Sequence, residues 1–271
     1  MREKILKSRM LPLLVLPIRI YMISCHLGKQ FKSSFLWLMR SKEFANFTYD
    51  LTSSNREYLA WFVAEICKIS KEDAWSYFHE LETNSVLAEH IETELAKHRR
   101  GNEIDGQAFF GRRLGWYAIV RATKPAVVVE TGTEKGLGSL VIAAALIENG
   151  HGRLVTIDIE RSSGILIGGK YSQVVEHVIS DSLIALSKIE VIDLFIHDSN
   201  HSAIHERHEL ELVCNRLSTY GIVLSDNSHV SNELAQWSSR NNRRFFYFAE
   251  QPTNHWYPGA GIGASLANSY T

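Results

Sequence analysis

The chain has 271 residues, of which 45% are apolar and 22% charged, and its formal net charge is −1. This length and composition are typical of a folded globular protein with a sizeable core. A nearly neutral chain excludes the clustered Lys and Arg of a nucleic-acid-binding domain. The three cysteines, Cys25, Cys67 and Cys214, are too far apart for a disulfide framework or a CxxC metal site, so we expect a reducing, cytoplasmic setting.

Residues 1–28, MREKILKSRMLPLLVLPIRIYMISCHLG, have a basic start followed by an apolar run. Pro12, Pro17 and Arg19 interrupt the run, and no charge-free stretch reaches the roughly 18 residues that span a bilayer. The pattern favours a helix that packs on the protein or on a partner. Separately, a homo-oligomer is left open. A peripheral membrane contact through residues 1–28 and a cleaved signal remain alternatives.

Residues 50–123 have helical patterns. Ser53 and Ser54 are candidate N-caps for NREYLAWFVAEICKI, and SKED at 70–73 resembles a capping box. Another helix follows up to Gly101, and a further one runs from about residue 107 to Thr123, where Lys124-Pro125 ends it. We therefore predict an N-terminal helical region at 1–106 and a second domain at 107–271.

From residue 126 onward, short aliphatic runs alternate with helical segments. The runs are AVVVE, RLVTID, VEHVI, VIDLFIH and GIVLSD. Buried strands that alternate with helices predict an α/β fold with a mainly parallel sheet. RRFFYFAE and WYPGAGIGASL have no full helix between them, which predicts an antiparallel C-terminal hairpin and seven strands in all.

The first strand runs into a glycine-containing turn, VVVETGTEKGLGS, at residues 127–139. Gly132 and Gly136 would let a ligand approach the backbone, although the pattern is not the G-x-G-x-x-G of dinucleotide-binding sites. Glu130 at the strand tip would repel a pyrophosphate and attract an ammonium or sulfonium group. Asp158 ends the second strand, where a carboxylate can bind ribose hydroxyls. Asp181 and Ser182 follow the third strand, where an adenine edge would lie.

The segments ETGTEKG, VTID, ISDS and DLFIHDS resemble the cofactor side of class I S-adenosylmethionine-dependent methyltransferases, over about residues 107–267. The resemblance implies a Rossmann-like sheet and S-adenosyl-L-methionine as cofactor. It implies that Glu130, Gly132, Thr133 and Gly136 form the methionine end of the cofactor site, that Asp158 holds the ribose, and that Asp181 and Ser182 lie near adenine. Glu134 stands where the family usually has its middle glycine.

Two strands end in similar polar segments, FIHDSNH at 195–201 and VLSDNSH at 223–229. Neighbouring strand ends form one crevice, so Asp198, Asp226 and Asn227 can converge there. Carboxylate and amide oxygens suit Mg²⁺ better than zinc. The same D…D-N arrangement occurs in metal-dependent O-methyltransferases of the catechol and macrolide-sugar types. By this resemblance, Asp198, Asp226 and Asn227 are the metal ligands.

His201 is the predicted general base. The catechol-type pattern has a lysine at this position, three after the first aspartate, and the macrolide-sugar type has an aspartate where this chain has Asn200, which cannot take a proton. The ordinary pKa of histidine suits proton transfer near neutral pH. A role in capping the next helix remains the alternative. Arg112 and Arg113 could lie near the cofactor pocket or cap a helix, and packing is the favoured interpretation. His229 could support the metal ligands or face the substrate, and the aromatic residues of the C-terminal loop, His255, Trp256 and Tyr257, could stack on a sugar or pack in the core.

These patterns predict methyl transfer to a hydroxyl of a small molecule, with a sugar or natural product as first choice and a catechol-like phenol as second. Mg²⁺ or another divalent cation would assist the transfer. Three alternatives remain: a metal-independent methyltransferase of the same fold, a cofactor-binding protein without turnover, and an iron hydroxylase that uses His197 and His201.

Overall fold

A seven-stranded sheet forms the centre of the computed structural model, which describes residues 11–99, 103–105, 109–226 and 228–268. The strands are β1 Asp50–Leu51, β2 Val127–Thr131, β3 Arg153–Asp158, β4 Val175–Ile179, β5 Ile192–His197, β6 Leu217–Ser225, β7 Arg243–Ala249, β8 Pro252–Thr253 and β9 Gly261–Ala267. The α-helices are α1 Leu11–Leu14, α2 Leu16–Arg40, α3 Ser53–Cys67, α4 Lys71–Glu82, α5 Ser85–Lys97, α6 Arg113–Thr123, α7 Leu137–Asn149, α8 Ser182–Leu186, α9 Ala203–Cys214 and α10 Glu233–Arg240.

The order of strands in the sheet is β4-β3-β2-β5-β6-β9-β7. The first five strands are parallel, and β9 is antiparallel to both β6 and β7. The predicted α/β fold with a C-terminal antiparallel pair is therefore confirmed. The chain begins the sheet at β2 and extends it first to one side and then to the other, so the order reverses between β2 and β5. A ligand crevice forms at such a switch point, at the carboxyl ends of the strands.

Both faces of the sheet are covered by helices, because successive side chains of a strand point to opposite faces. Val128 and Leu194 belong to a core shared with α3 to α7, whereas Val129 and Phe195 pack on the other face with residues of α9 and α10. This double burial explains why the parallel strands appear in the sequence as continuous aliphatic runs. The division at residues 106 and 107 stays a prediction.

Local hydrogen bonds account for the helix boundaries. Thr52, one residue before the predicted caps, accepts the N–H of Asn55 and caps α3, so Ser53 and Ser54 lie inside the helix. Ser70 and Asp73 form the predicted capping box of α4. The helix predicted from residue 107 begins at Arg113, and residues 106–108 lie outside the described part.

A second, two-stranded sheet pairs β1 with β8, so that Asp50 lies opposite Thr253. Tyr49, just before β1, also bridges to Phe110 ahead of α6. These pairings bring the segment before α3 and the loop after β7 to the carboxyl end of the main sheet. The N-terminal region therefore contributes side chains to the crevice.

Candidate active site

The turns after β2 and β5 contact each other directly at the switch point. Gly132 has φ +90°, and a Cβ on it would stand 2.0 Å from the backbone oxygen of Asp198. The N–H of Asp198 donates to the carbonyl of Thr131 at 2.9 Å, and the N–H of Asp226 donates to the carbonyl of His197 at 2.8 Å. The β ladder thus continues one residue past the strands and holds Asp198 and Asp226 side by side.

Asp158 fixes the glycine-containing turn from the end of β3. Its Oδ2 accepts the N–H groups of Thr133 at 3.0 Å and Glu134 at 2.8 Å, and its Oδ1 accepts the N–H of Glu160 at 2.8 Å. Glu134 has φ +48°, a left-handed conformation that costs a non-glycine residue about 1 kcal/mol. The usual family glycine at this position is explained by that backbone conformation. Oδ1 of Asp158 keeps a lone pair for a ligand hydroxyl.

A cavity of about 490 Å³ lies along these turns. Its lining includes four of the predicted cofactor residues, Gly132, Asp158, Asp181 and Ser182. Asp181 caps α8 by accepting the N–H groups of Leu183 and Ile184, and the hydroxyl of Ser182 lies 3.1 Å from Nε2 of His205. A volume of this size is in the range of cofactor and small-molecule sites.

A second cavity, of about 280 Å³, adjoins the first and shares Gly132, Glu134 and Asp198 with it. Two further predicted cofactor residues, Glu130 and Thr133, line this second cavity. The remaining predicted cofactor residue, Gly136, lines neither cavity. It precedes α7 with φ +89°, where a Cβ would lie 3.2 Å from Cα of Gly164.

Glu130 is buried at the end of β2 and accepts hydrogen bonds from the hydroxyls of Ser139 and Thr156. Burial raises the pKa of its carboxyl to about 7, although the two hydroxyl donors favour the ionised form. A Cβ on Gly138 would approach Oε1 of Glu130 to 2.6 Å. The carboxyl therefore has a tightly packed position beside the second cavity.

Asp198, His201 and Asp226 form a cluster in which one ligand atom from each lies within 4.8 Å of the others. Removal from solvent and the charge of Asp226 raise the pKa of Asp198 well above its ordinary value. Burial also lowers the pKa of His201, whose Nε2 is 3.9 Å from Oδ1 of Asp198. A neutral imidazole is therefore available near neutral pH. Asn227, the third predicted metal ligand, lies outside the described residues.

Arg112 is in this cluster, contrary to its interpretation as a packing residue. Its Nε lies 2.5 Å from Oδ1 of Asp226, and its Nη2 donates to Oδ2 at 2.6 Å. Its Nη1 donates to the hydroxyl oxygen of Tyr49 at 2.5 Å, and Asp198 and Glu250 each have an oxygen 4.0 Å from the guanidinium. Arg113, in contrast, donates to the carbonyl of Phe47. No pattern in the sequence indicates that Arg112, Tyr49 and Glu250 would meet.

Glu209 of α9 is hydrogen-bonded to residues at the end of β2, at the end of β5 and in the turn after β5. Its carboxylate accepts hydrogen bonds from the hydroxyls of Thr131 and Ser199, at 2.8 and 2.9 Å, and lies 2.7 Å from Nδ1 of His197 and 2.9 Å from Nε2 of His205. His197 thus turns its Nδ1 toward Glu209, and its ring lies 5.8 Å from that of His201. Among the described residues, the group of close metal-ligating atoms consists of Asp198, His201 and Asp226 and does not include His197, which the hydroxylase alternative needs.

The aromatic residues of the C-terminal loop pack behind Arg112. The ring of Tyr49 lies 5.7 Å from that of His255 and 5.5 Å from that of Tyr257. Burial lowers the pKa of His255 to about 4. His229, at the tip of β6, is exposed.

The order of the sheet and the crevice at its switch point define the class I methyltransferase fold. Residues 129–228 match a family model described as a methyltransferase domain. The chain therefore has the fold of the class I methyltransferases, and residues 129–228 are similar to a methyltransferase domain.

Two solved structures have a similar fold. The O-methyltransferase TomG from Streptomyces achromogenes, involved in tomaymycin synthesis and solved in complex with SAM, is 18% identical with a TM-score of 0.53 over 66% of this chain and 89% of that chain. A proposed O-methyltransferase from Klebsiella pneumoniae is 12% identical with a TM-score of 0.52 over 68% of this chain and 90% of that chain. No curated protein matches the chain by sequence.

Proposed function

We propose that this methyltransferase moves a methyl group from S-adenosylmethionine to a hydroxyl of a polar small molecule, with a divalent cation assisting. The observation that carries the proposal is the junction of the two cavities at Gly132 and Asp198. A cofactor in the larger cavity would present its reactive end there. The cluster of Asp198, His201 and Asp226 lies at the same junction, where an acceptor in the smaller cavity would meet it.

The lining of the larger cavity fits an adenosine moiety. Asp158 has one remaining lone pair for a ribose hydroxyl, and Asp181 and Ser182 would lie near the base. Glu130 would face the ammonium end from the second cavity. S-adenosylmethionine supplies an electrophilic methyl group on a sulfonium, so the protein needs chiefly to align that group with the acceptor oxygen.

The cluster at the junction also fits a divalent cation. Two carboxylates and an imidazole offer oxygen and nitrogen donors close together. Burial, and after it the charge of Asp226, raises the pKa of Asp198, so a second negative charge is costly at this position. A cation held there would lower the pKa of a hydroxyl that it binds. Arg112 already binds both oxygens of Asp226, so Asp198 has the freer carboxylate.

His201 is proposed as the base that takes the proton of the acceptor. Its imidazole is half-buried and lines the smaller cavity beside Asp198. Because burial lowers its pKa, it can accept a proton at neutral pH. Its position next to both carboxylates would stabilise the imidazolium that forms.

The polarity of the smaller cavity favours a sugar or another polyol over a flat phenol. Asn46, Arg112, Asp198, His201 and Asp226 all line it. Arg112 and Asp226 already pair with each other, but the hydroxyls of a polyol can add hydrogen bonds to these polar side chains that a flat apolar ring cannot. A sugar or natural product is therefore the proposed acceptor class.

Titration calorimetry with S-adenosylmethionine tests the cofactor site. We expect Asp158→Ala to weaken binding at least tenfold, because the variant loses both the ribose contact and the anchor of the turn. Asp193→Ala is the matched control: its carboxylate also accepts two backbone N–H groups, of Ala126 and Val127, at the other end of the sheet. Equal affinity in the two variants would place the cofactor elsewhere.

A second candidate is a metal-independent methyltransferase, favoured by the guanidinium of Arg112 on Asp226. Methyl transfer to a panel of sugars and phenols, measured with and without a chelator, separates the two candidates. Loss of turnover in chelator and its return with Mg²⁺ support the cation-assisted mechanism. Turnover that is insensitive to chelator supports the second candidate, and binding without turnover on any acceptor supports a non-catalytic protein.

A further inference from the structure

Helix α2 is largely exposed to solvent. None of its 25 residues is buried, and every residue from 16 to 29 is exposed. Its C-terminal half rests on the loop after β7: Nε2 of Gln30 donates to the carbonyl of Trp256 at 2.7 Å, and the ring of Trp37 lies 5.5 Å from that of His255. The first half of α2 therefore extends away from the folded body.

One side of α2 is largely apolar. At 100° per residue, seven side chains fall within an arc of about 80°, and all of them except Ser34 are apolar. The six apolar residues, here called the apolar stripe, are Leu16, Ile20, Ile23, Leu27, Phe31 and Leu38. Each is between 46% and 76% exposed. A contiguous exposed apolar surface of this kind marks a site of interaction rather than ordinary protein surface.

The charge of the segment indicates what covers the stripe. The sequence has no Asp or Glu from residue 4 to residue 42. Within α2 the charged residues are Arg19, Lys29, Lys32 and Arg40, and all four lie outside the arc of the stripe. An apolar face with basic residues on the remaining circumference is the pattern of a helix that lies on an anionic lipid surface.

A second copy of the chain is a poorer occupant. Two copies of α2 packed together would bring two sets of basic residues into proximity, without the acidic partners that flank the seam of a stable coiled coil. A bilayer with anionic lipids, in contrast, offers acyl chains to the stripe and negative headgroups to the basic residues. No helix among the described residues is long and apolar enough to cross a membrane.

We propose that α2 binds parallel to the surface of an anionic membrane, with the apolar stripe toward the acyl chains. The helix would thereby attach the methyltransferase to that surface through an element that contributes no residue to the two cavities. The attachment is independent of the acceptor and of the cation proposed above, so the two proposals can fail separately.

Co-sedimentation of the full chain with vesicles tests the attachment. We expect binding to vesicles of phosphatidylcholine with phosphatidylglycerol, and at least tenfold weaker binding to phosphatidylcholine alone. Binding to the anionic vesicles should weaken as salt is added, because salt screens the basic residues. Replacement of both Lys29 and Lys32 by glutamine should also weaken it.

The decisive variant replaces Ile23, Leu27 and Phe31 by serine, which should reduce binding to anionic vesicles at least tenfold. The matched control replaces three exposed apolar residues of the folded body, Val86, Ile204 and Val230, by serine and should bind as the unmodified chain does. Circular dichroism confirms that both variants fold.

Three results would overturn the proposal. The first is no binding to anionic vesicles, and the second is equal binding by the stripe variant and its control. The third is a stable dimer in sedimentation equilibrium that the stripe substitutions dissociate, together with no vesicle binding, which would make a second copy the occupant.

Discussion

The buried carboxyl of Glu130 is expected to make the protein less stable as the pH rises toward neutrality. Burial beside Gly138 raises its pKa from the ordinary 4.5 to about 7. Glutamine has the same shape and cannot ionise, and the hydroxyls of Ser139 and Thr156 can rotate to bond with its amide. Glu130→Gln therefore removes the titration with little change in packing.

The direction in which the free energy of unfolding changes with pH follows from the pKa of this carboxyl in the folded chain and in the unfolded chain. Below about pH 4.5 it is protonated in both the folded and the unfolded chain. Between pH 4.5 and 7 the folded chain keeps a proton that the unfolded chain has lost, so the free energy of unfolding falls as the pH rises. Above about pH 7 the carboxyl is ionised in both states, and the free energy of unfolding falls no further because of it. A pKa difference of this size corresponds to about 3 kcal/mol.

Urea denaturation at pH 5 and pH 8 measures the effect. Between pH 5 and pH 8, the free energy of unfolding of Glu130→Gln should rise by about 2–3 kcal/mol relative to that of the unmodified chain. The exposed Glu148 of α7 supplies the control variant, Glu148→Gln, which should follow the unmodified chain at both pH values. If Glu130→Gln shows the same pH dependence as the unmodified chain, the carboxyl does not hold its proton in the folded state and the reasoning is wrong.

Two further predictions concern the adjacent arginines Arg112 and Arg113 and the proposed base His201. Arg112→Met should lower the free energy of unfolding by about 3–5 kcal/mol, because it leaves Asp226 buried without its counter-charge. Arg113→Met loses a hydrogen bond to a backbone carbonyl and should lower the free energy of unfolding by about 1–2 kcal/mol. If urea denaturation gives the same decrease in the free energy of unfolding for both variants, Arg112 is not the essential counter-charge of Asp226. His201→Gln should lower kcat by about 10²–10⁴ with an unchanged Kd for S-adenosylmethionine, whereas His229→Gln at the neighbouring exposed strand tip should leave kcat unchanged; a normal kcat in His201→Gln would exclude it as the base.

The strands could be predicted because the sheet is buried on both faces. In β2 and β5 successive side chains pack into two different cores, so the central positions, Val128 and Val129 in β2 and Leu194 and Phe195 in β5, are all apolar. The position of β9 between β6 and β7 has no such local signal. It depends on pairing between β6 and β9, which are separated in the chain by α10, β7 and β8, and periodicity within one segment does not indicate such a pairing.

The same contrast holds in the site. Asp198 and Asp226 could be predicted to meet because each follows its strand directly and parallel strands end at one edge. Arg112 reaches Asp226 from 114 residues away in sequence, through a helix that the strand pattern does not orient. Glu209 was missed for a related reason: within the charged segment HERHELEL an acid usually indicates a solvated helix face, and only the packing of α9 under β5 makes it buried.

The charges around Arg112 are the strongest reason to expect a divalent cation. Three carboxyl groups, of Asp198, Asp226 and Glu250, have oxygens within 4.0 Å of this one guanidinium. With all three ionised, the cluster has two more negative charges than positive ones, and buried charge without a partner is costly. A divalent cation at Asp198 would offset that excess and leave His201 neutral to act as a base. A metal-independent mechanism requires instead that two of the three carboxyl groups hold protons while the acceptor beside them loses one. Because protonated carboxyls would be weak partners for the proton that His201 takes, the cation-assisted mechanism agrees better with the arrangement of these side chains.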